Sequence, residues 1–282
     1  MVQIVDGKEV SKIAREKIAK QVDALSAQDI KVGLAVILVG DNPASHVYVR
    51  NKIKACEEVG IISTEKRLDE AASFDEIKNT IQSLNNDEGV HGILLQLPLP
   101  SHLKDVQEDL VQMITPEKDV DGLTVTNAGK LFLGMNDGHV PCTPQGSLHL
   151  IKEAKQDLSG LNAVVIGRSN LFGKPMAQLL LNENCTVTMA HSRTQDLDQV
   201  CAQADIVVAA VGREKMMKAE WVKEGAIVID VGINRMDNGK LCGDVDFDEV
   251  KDKTSAITPV PGGVGPMTIT YLLANTVRAA QA

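Results

Sequence analysis

The chain has 282 residues, of which 44% are hydrophobic and 24% are charged, and its formal net charge at pH 7 is -9. A chain of this length and apolar content is long enough to form two domains with buried cores. The negative charge and the absence of a dense lysine/arginine block argue against sequence-independent binding to nucleic acid. Chemistry on a small molecule is therefore the expected kind of function.

The cysteine and histidine patterns predict neither disulfides nor a metal site. The five cysteines are scattered and show no CxxC spacing, and the six histidines form no ligand pair. The opening MVQIVDGKEV lacks the basic-then-apolar pattern of a signal peptide, and no apolar run approaches membrane-spanning length. We expect a soluble, cytoplasmic protein in a reducing compartment.

Alternating helix and strand patterns in the first half predict a parallel sheet. Apolar residues recur at helical spacing in the helices, and the strands at 34–40 (LAVILVG) and 92–100 (GILLQLPLP) are continuous apolar runs of the buried type. The predicted elements are helix 8–26, strand 34–40, helix 42–60, strand 64–68, a helix from Ser73 and strand 92–100.

The helix at 42–60 carries chemistry that a helix does not need. Ser45, Tyr48 and Lys52 fall one turn apart along one face, which stacks a phenol and an amine. A lysine serves as an acid/base group where a partly dry site lowers its pKa and a neighbour orients it. The alternative is a solvated surface lysine beside a half-buried ring.

Gln96 stands in the middle of the apolar run at 92–100. A buried amide must find hydrogen-bond partners or cost a few kcal/mol. Pro98 and Pro100 end this strand, and ligands of open parallel sheets bind off the carboxyl ends of strands. Gln96 is therefore predicted near a pocket; the alternative is a glutamine at the edge of the sheet, satisfied by backbone.

Asp121 lies in the charged segment TPEKDVDGLTVTN, residues 115–127. The segment does not match the calcium-loop pattern, because after Asp119-Val-Asp121 the glycine comes two positions too early and no glutamate follows at the required distance. An inward-pointing Asp121 would accept two parallel hydrogen bonds from an N–C–N edge, which a pterin presents. The alternative is a residue of a solvated turn.

Composition shifts at HVPCTPQG (139–146), which we interpret as a domain boundary followed by a helix at 145–155. Strand, glycine turn, helix and strand then follow within about thirty residues, as in dinucleotide-binding units. The predicted strands are 162–167, 186–190, 206–211, 226–234, the short KLCGDV segment and a final stretch at 256–268. A last helix from Thr268 is expected to return to the first domain.

The glycine turn departs from GxGxxG, because Gly167 and Gly173 are separated by five residues, and a simple strand-to-helix connection is the alternative. Backbone amides from Ser169 onward would open a helix amino terminus toward a phosphate. The next strand ends in Ser192 and Arg193 rather than in an acidic residue that would bind the ribose of NAD.

Hydroxyl and guanidinium groups at this position suit the 2′-phosphate of NADP, and Arg168 supplies a second cation. The PGGVGP loop is stiff and bare, so Pro261, Gly262 and Gly263 allow close backbone approach to a flat ligand. We therefore expect an NADP site and a second, flat ligand.

With these segments in place, the chain resembles the bifunctional methylenetetrahydrofolate dehydrogenase/methenyltetrahydrofolate cyclohydrolase family. The resemblance covers essentially the whole length and implies an α/β fold with two αβ domains flanking a cleft. NADP would bind the second, Rossmann-like domain, and folate would lie between the two. The motifs that carry it, in family order, are SHVYVRNKIKACEEVG, GILLQLPLP, PEKDVDG, PCTPQG, VVIGRSNLFGKP, GAIVIDVGIN and TPVPGGVGPMT.

The resemblance also implies domain limits and residue roles. Residues 1–142, completed by 268–282, would form the folate-binding and catalytic domain, and residues 143–267 the NADP-binding domain. Tyr48 would stack on the folate, Lys52 would be the catalytic amine, Gln96 would orient it and Asp121 would hold the pterin edge, with Pro261, Gly262 and Gly263 also on the substrate side. The NADP site would comprise Thr143, Gly167, Arg168, Ser169, Ser192, Arg193, Gly212, Ile233 and Thr268.

The implied activity is NADP-dependent oxidation of methylenetetrahydrofolate followed by hydrolysis to formyltetrahydrofolate, in one-carbon metabolism that supplies purine biosynthesis. A homodimer is expected. Two alternatives stay open: a dehydrogenase of the shikimate or amino-acid type, and a redox-sensing NADP-binding regulator without turnover.

Overall fold

Ten α-helices and eleven β-strands occur in the part of the chain that the computed structural model describes, residues 2–282 apart from the side chains of Pro43 and Ala44. The helices are α1 (Gly7–Ser26), α2 (Pro43–Val59), α3 (Phe74–Asn85), α4 (Gln107–Val111), α5 (Val125–Phe132), α6 (Cys142–Ala154), α7 (Gly173–Asn182), α8 (Leu197–Cys201), α9 (Phe247–Val250) and α10 (Val264–Ala280). The strands are β1 (Gln3–Ile4), β2 (Gly33–Val39), β3 (Ile62–Leu68), β4 (Gly92–Leu95), β5 (Asn162–Ile166), β6 (Thr186–Ala190), β7 (Ile206–Ala209), β8 (Ala226–Asp230), β9 (Asn234–Arg235), β10 (Leu241–Cys242) and β11 (Thr254–Ile257). Among these helices, none has both the length and the apolar character required to cross a bilayer.

A three-stranded parallel sheet, in the order β3-β2-β4, is built from the first half of the chain and confirms the predicted parallel pairing. Every residue of the central strand β2 is buried. Successive side chains of a strand point to opposite faces. Leu34 and Val36 accordingly join a core with α1, α2 and α10, whereas Ala35 and Ile37 join a core with α3.

A second sheet has six strands in the order β1-β11-β8-β7-β5-β6, and all of its pairings are parallel. In the sheet, β6 pairs with one side of β5, and β7, the next strand in the chain, pairs with the other side. The strand order therefore reverses at β5. Doubly wound sheets bind ligands at such a switch point, outside the carboxyl ends of the strands. The Rossmann-like prediction is confirmed.

The chain divides into two compact units, and one boundary differs from the prediction. One unit comprises residues 13–142 and 269–282, and the other comprises residues 143–268 together with the amino-terminal residues up to Lys12. The prediction placed those amino-terminal residues in the first domain, whereas in the structure they group with the six-stranded sheet. The reason is that β1 pairs with β11, with Gln3 opposite Ala256 and Ile4 opposite Ile257.

Helix α10 begins at Val264 and not at the predicted Thr268, because Pro266 is tolerated in the first turn of a helix. Its later part packs in the unit that contains β2, where Leu272, Leu273 and Val277 are buried in the same core as that strand. The expected return of the last helix is therefore confirmed. The same tolerance of proline lets α6 begin at Cys142, earlier than the predicted residue 145.

Candidate functional site

Lys52 and Gln96 meet although they are far apart in the chain. Lys52 lies on α2, whose start is capped where the Ser45 amide donates to Asn42 Oδ1 at 3.4 Å. Lys52 Nζ donates to Gln96 Oε1 at 2.9 Å, and both side chains are half-buried. This pairing excludes the alternative of a solvated surface lysine.

Gln96 is the first residue after β4, so its predicted place within the strand was wrong. Its backbone amide still donates to the Ile37 carbonyl at 2.9 Å, which fixes it at the carboxyl end of the sheet. Its side-chain Nε2 donates to the Leu97 carbonyl at 2.6 Å. Because the amide NH₂ is committed to Leu97, the amide oxygen is the group that faces Lys52.

The two carboxylates of the Asp119-Val120-Asp121 segment have different surroundings. Asp119 is almost fully buried and accepts from the amides of Leu123 at 3.1 Å and Thr124 at 2.7 Å and from Asn127 Nδ2 at 2.9 Å. Asp119 therefore fixes the backbone of this loop, including the residues that lead into α5. Asp121 is only partly buried, which leaves it as the candidate for chemistry.

Lys52 and Asp121 interact electrostatically inside this partly dry site. Burial lowers the pKa of the Lys52 amine, and the negative charge of Asp121 opposes that shift. Burial also raises the pKa of the Asp121 carboxyl, and the positive charge of Lys52 opposes that shift. Desolvation is the larger cause for both groups, so the site favours a neutral lysine more than bulk water does.

Cys142 and Asn275 complete the surroundings of Asp121, and neither was proposed from the sequence as a site residue. The Cys142 thiol, which is buried, hydrogen-bonds with Asp121 and lies 3.3 Å from the Val120 carbonyl. Asn275 Nδ2 donates to the carbonyls of Val120 at 2.8 Å and Val140 at 3.0 Å. The one sequence signal for this contact is a polar asparagine inside the apolar pattern of the last helix, and it was not used.

Tyr48 precedes Lys52 by one turn on α2 and is 45% exposed. An exposed phenol ring next to a half-buried amine offers a flat face on which an aromatic ligand can stack. The structure thus brings Tyr48, Lys52, Gln96 and Asp121 into one unit, as expected from the sequence.

The predicted cofactor residues follow a single row of the six-stranded sheet. The parallel register aligns Ala190, Ile166, Ala209 and Asp230 across β6, β5, β7 and β8. The residues that follow these four strands therefore leave the sheet at the same edge, the carboxyl edge. That edge carries Gly167, Arg168, Ser169, Ser192, Arg193, Gly212 and Ile233, all within three residues of the row.

The turn after β5 requires glycine and closes on itself. Gly167 has a φ of +130°, and a Cβ there would approach the Ala210 carbonyl oxygen to 2.5 Å. Ser169 Oγ accepts from the amides of Phe172 at 3.1 Å and Gly173 at 3.4 Å. These two bonds satisfy amides at the start of α7, which begins at Gly173. The phosphate contact of the amides from Ser169 onward stays a prediction.

The turn after β6 carries Arg193, and no acidic residue stands between Ala190 and Arg193 in the sequence. Ser192 and Arg193 are exposed, and the Arg193 amide donates to His191 Nδ1 at 3.2 Å, which folds the turn back on itself. Arg168 is likewise exposed after β5. This donor set fits an additional phosphate better than a bare ribose hydroxyl.

The remaining predicted residues lie in the same unit as the six-stranded sheet. Thr268 Oγ1 donates to Thr143 Oγ1 at 3.1 Å, so those two are brought together. Pro261, Gly262 and Gly263 follow β11, with a cis peptide before Pro261 and a φ of +108° at Gly262. Within residues 2–282 as described, no three histidine, cysteine or acidic side chains are grouped to hold a metal ion.

Two family descriptions match the chain. Residues 5–121 match the catalytic domain of tetrahydrofolate dehydrogenase/cyclohydrolase, and residues 141–282 match its NAD(P)-binding domain. The bifunctional protein FolD of Listeria innocua is 55% identical over 281 residues, which cover 100% of this chain and 98% of the relative.

Solved structures agree with these matches. The bifunctional FolD enzyme of Campylobacter jejuni is 48% identical with a TM-score of 0.97, and the match covers 100% of this chain and 99% of that one. The Trypanosoma brucei enzyme, solved with NADP cofactor and inhibitor, is 35% identical with a TM-score of 0.93, covering 99% and 97%.

A shikimate dehydrogenase solved with NADP+ is 13% identical with a TM-score of 0.53, over 89% of this chain and 90% of that one. That likeness shows a shared fold alone. The shikimate alternative therefore has no support beyond architecture.

Proposed function

This chain belongs to the tetrahydrofolate dehydrogenase/cyclohydrolase family, and we propose that Lys52, Gln96 and Asp121 carry the hydrolytic half of its chemistry. The protein is a bifunctional enzyme that oxidises methylenetetrahydrofolate with NADP and hydrolyses the methenyl product to formyltetrahydrofolate. The observation that carries the residue assignment is the hydrogen bond from Lys52 to a glutamine whose orientation is already set by Leu97.

NADP is the hydride acceptor of the first reaction. We assign its site to the loops at the carboxyl edge of the six-stranded sheet, with Arg168, Ser192 and Arg193 on the side of the 2′-phosphate. Their exposure and the lack of an acidic residue between Ala190 and Arg193 support this assignment. The companion residues are Thr143, Gly167, Ser169, Gly212, Ile233 and Thr268.

Substrate orientation falls to Tyr48 and Asp121. Hydride transfer moves no proton, so the enzyme supplies mainly geometry in this step. The Tyr48 ring stacks on the folate, and the Asp121 carboxylate accepts two hydrogen bonds from the N–C–N edge of the pterin. Hydrogen bonds to the charged form would hold Asp121 ionised once the substrate is bound. Pro261, Gly262 and Gly263 form a further bare surface for the substrate.

In the hydrolytic step a water oxygen bonds to the methenyl carbon, and the neutral Lys52 amine takes the proton that the water loses. One of the two C–N bonds of the adduct then breaks as its hydroxyl loses a proton and becomes the formyl C=O, and the nitrogen that leaves takes up a proton. Gln96 Oε1 accepts an N–H of Lys52, so the lone pair of the amine points away from Gln96. The cationic intermediate further favours the neutral lysine.

A coupled assay tests both activities together. Purified protein is mixed with NADP and methylenetetrahydrofolate, and NADPH and methenyl absorbance are followed in parallel. We expect NADPH to accumulate with only a transient methenyl signal, since hydrolysis removes the intermediate. Nucleotide binding without any turnover would instead identify the redox-sensing regulator, and reduction of NADP with shikimate alone would identify the alternative dehydrogenase.

A homodimer is the proposed assembly. Strand β6 forms an edge of the six-stranded sheet, and Met189 on it is 37% exposed. Unpaired edges are commonly covered in oligomers. Sedimentation equilibrium at micromolar protein should give twice the 30.3 kDa chain mass, and a single species of chain mass would contradict the dimer.

The cytoplasm is the proposed compartment, since all five cysteines are free and buried, as is usual in reducing surroundings. Imaging of a fluorescent fusion in the source cell would test it.

We also propose that the formyl product serves purine biosynthesis. Deletion of the gene should then slow growth unless purines are supplied, and growth of the deletion strain at the normal rate without purines would contradict this role.

A further inference from the structure

Two buried carboxylates lie against the loops at the carboxyl edge of the six-stranded sheet. Asp230 is the last residue of β8 and is 3% exposed, and Asp244, two residues after β10, is fully buried. A buried charge is costly unless it is paired or hydrogen-bonded. The hydrogen-bond partners of these carboxylates therefore indicate the structural role of the two residues.

Asp244 binds the loop that follows β7. Its Oδ2 accepts from the amides of Val211 at 2.7 Å and Gly212 at 3.0 Å, and its Oδ1 accepts from the amide of Arg213 at 2.8 Å. Oδ1 also accepts from Asn234 Nδ2 at 2.9 Å, at the start of β9 and directly after the loop that follows β8. One carboxylate thus joins the loops of two adjacent strands.

Asp230 binds the second loop and Asp244 itself. Its Oδ1 accepts from the amides of Gly232 at 3.1 Å and Asp244 at 2.9 Å, and its Oδ2 accepts from the amide of Val245 at 2.9 Å. Its own amide donates to Thr258 Oγ1 at 2.8 Å, after β11. The position of Asp244 is therefore set by Asp230.

The backbone makes room for these carboxylates. A Cβ at Gly232 would overlap the carboxylate of Asp244, and a Cβ at Gly243 would overlap that of Asp230. The outer side of the same loops is open, because Ile233 is 51% exposed and a Cβ at Gly212 would meet no atom within 4 Å. The carboxylates hold the loops from inside and leave the outer surface for a ligand.

We propose that Asp244, held by Asp230, is a positioning residue for the nucleotide: it fixes the loops 211–213 and 231–234 in the conformation that receives NADP. The inference rests on the proposed function, which places Gly212 and Ile233 at the NADP site. Loops that are ordered before binding lose less conformational freedom when the ligand arrives. Loss of this order should weaken nucleotide binding and leave the hydrolytic site untouched.

Asp244→Asn tests the proposal. The asparagine amide replaces one acceptor oxygen with an NH₂ donor. That donor faces backbone N–H groups, so the hydrogen bonds that hold one of the two loops are lost. We expect the KM for NADP to rise about tenfold, as for loss of charge-assisted hydrogen bonds. Hydrolysis of methenyltetrahydrofolate, assayed without nucleotide, should keep its kcat/KM. Asp246→Asn is the matched control, because the Asp246 carboxylate pairs with Lys218 at 2.8 Å and with Lys215 at 3.6 Å.

An unchanged KM for NADP, or a parallel fall in hydrolysis, overturns the proposal. If circular dichroism shows that Asp244→Asn is unfolded, Asn234→Ala replaces it, because that change removes one donor and keeps the carboxylate. About a threefold rise in KM is then expected, and no rise overturns the proposal.

Calorimetric titration of NADP, without folate, separates this inference from the proposed function. A wild-type protein that binds NADP but does not turn over would refute the function only, and weaker binding by Asp244→Asn would still support the positioning role. Wild-type protein that binds no NADP would refute both.

Discussion

Lys52 Nζ donates a hydrogen bond of 2.9 Å to Gln96 Oε1, and the two residues are 44 positions apart in the chain. Because Gln96 Nε2 is bonded to the Leu97 carbonyl, the glutamine cannot turn its amide over without losing that bond. A lysine that is held by a neutral acceptor keeps a lowered pKa, whereas a carboxylate in the same place would raise it. The chemistry of the partner is therefore as important as its position.

Lys52→Met should reduce hydrolysis of methenyltetrahydrofolate by about a hundredfold or more, the usual scale for loss of a positioned acid/base group. Methionine retains much of the bulk of the side chain and removes the amine. Hydride transfer moves no proton, so dehydrogenase activity should survive to a larger fraction and the methenyl compound should accumulate. Single-turnover measurements of both half-reactions check this.

Lys54→Met is the matched control, because Lys54 lies on the same helix and is exposed. Its activities should stay at the wild-type level. Equal loss of both activities in Lys52→Met would make Lys52 a shared positioning group, and loss of neither would place the site elsewhere.

Gln96→Glu should shift the pH profile of hydrolysis upward. Burial lowers the pKa of Lys52, and a carboxylate at Gln96 would raise it, because an opposite charge at hydrogen-bond distance stabilises the protonated amine. The neutral amine then forms only at higher pH, so the rate at pH 7 falls about tenfold or more and recovers in alkaline buffer. Rates from pH 6 to 10 show the shift.

Gln96→Leu is the control for charge, because it removes the acceptor without adding a carboxylate. It should lower the rate without the alkaline recovery. Identical profiles for the two variants would exclude an electrostatic role for position 96.

Asp121→Asn should weaken folate binding by about 1–3 kcal/mol, the cost of an unpaired buried donor, and leave NADP binding nearly unchanged. An amide offers one acceptor and one donor where the pterin edge presents two donors. The variant also removes a negative charge that raises the pKa of Lys52. The pH midpoint of its residual hydrolysis should therefore fall. Titration calorimetry and the pH profile measure the two effects.

Asp119→Asn is the comparison, since Asp119 holds backbone amides of its own loop. It should lower the free energy of unfolding, whereas Asp121→Asn should change folate affinity. Unaltered folate affinity in Asp121→Asn would return Asp121 to the role of a turn residue.

NADP should be preferred to NAD, because Arg168, Ser192 and Arg193 are exposed at the edge where the 2′-phosphate is expected. A charge-assisted contact to phosphate contributes about 1.5–3 kcal/mol, hence roughly ten- to a hundredfold in affinity. Arg193→Ala should lose part of that preference by raising the KM for NADP. The kcat/KM for NAD in the same preparation is the internal control, and equal kcat/KM for the two nucleotides in wild type would contradict the prediction.

Asn275→Ala should reduce the free energy of unfolding by about 1–3 kcal/mol, because it leaves buried carbonyl groups without their donor. Asn275 is 2% exposed and bonds Val120 and Val140, which flank the segment that carries Asp121. Urea unfolding followed by circular dichroism measures the loss. Asn238→Ala, in an exposed turn, should change stability by less than about 0.5 kcal/mol.

Local pattern was sufficient to predict most helices and strands, because buried parallel strands are continuous apolar runs and amphipathic helices repeat every three to four residues. Pattern also indicated Gln96, which is a polar residue in an apolar run, but it left Lys52 open between an acid/base group and a surface lysine until the family resemblance was added. Pattern could not distinguish Asp119 from Asp121, because the hydrogen bonds that separate them depend on how the loop folds.

Local sequence pattern could not predict the long-range contacts. Asn275 and Cys142 are 133 positions apart, and no sequence spacing relates them. Strand β1 has two residues, both exposed, so its pairing with β11 left no periodic signal. The hydrogen bonds that Ser169 accepts at the start of α7 were not predicted, because a serine inside a glycine turn is equally consistent with a phosphate-binding loop.

The split course of the chain limits how the protein can be made and dissected. Each unit combines two separate segments of the sequence, and α10 supplies its first residues to one unit and its remainder to the other. During synthesis on the ribosome, the unit that carries Lys52 cannot acquire Leu272 and Leu273 in its core until nearly the whole chain has emerged. Neither half can therefore be expressed as a single uninterrupted fragment with a complete core, and a stop codon near the end should damage the hydrolytic unit first.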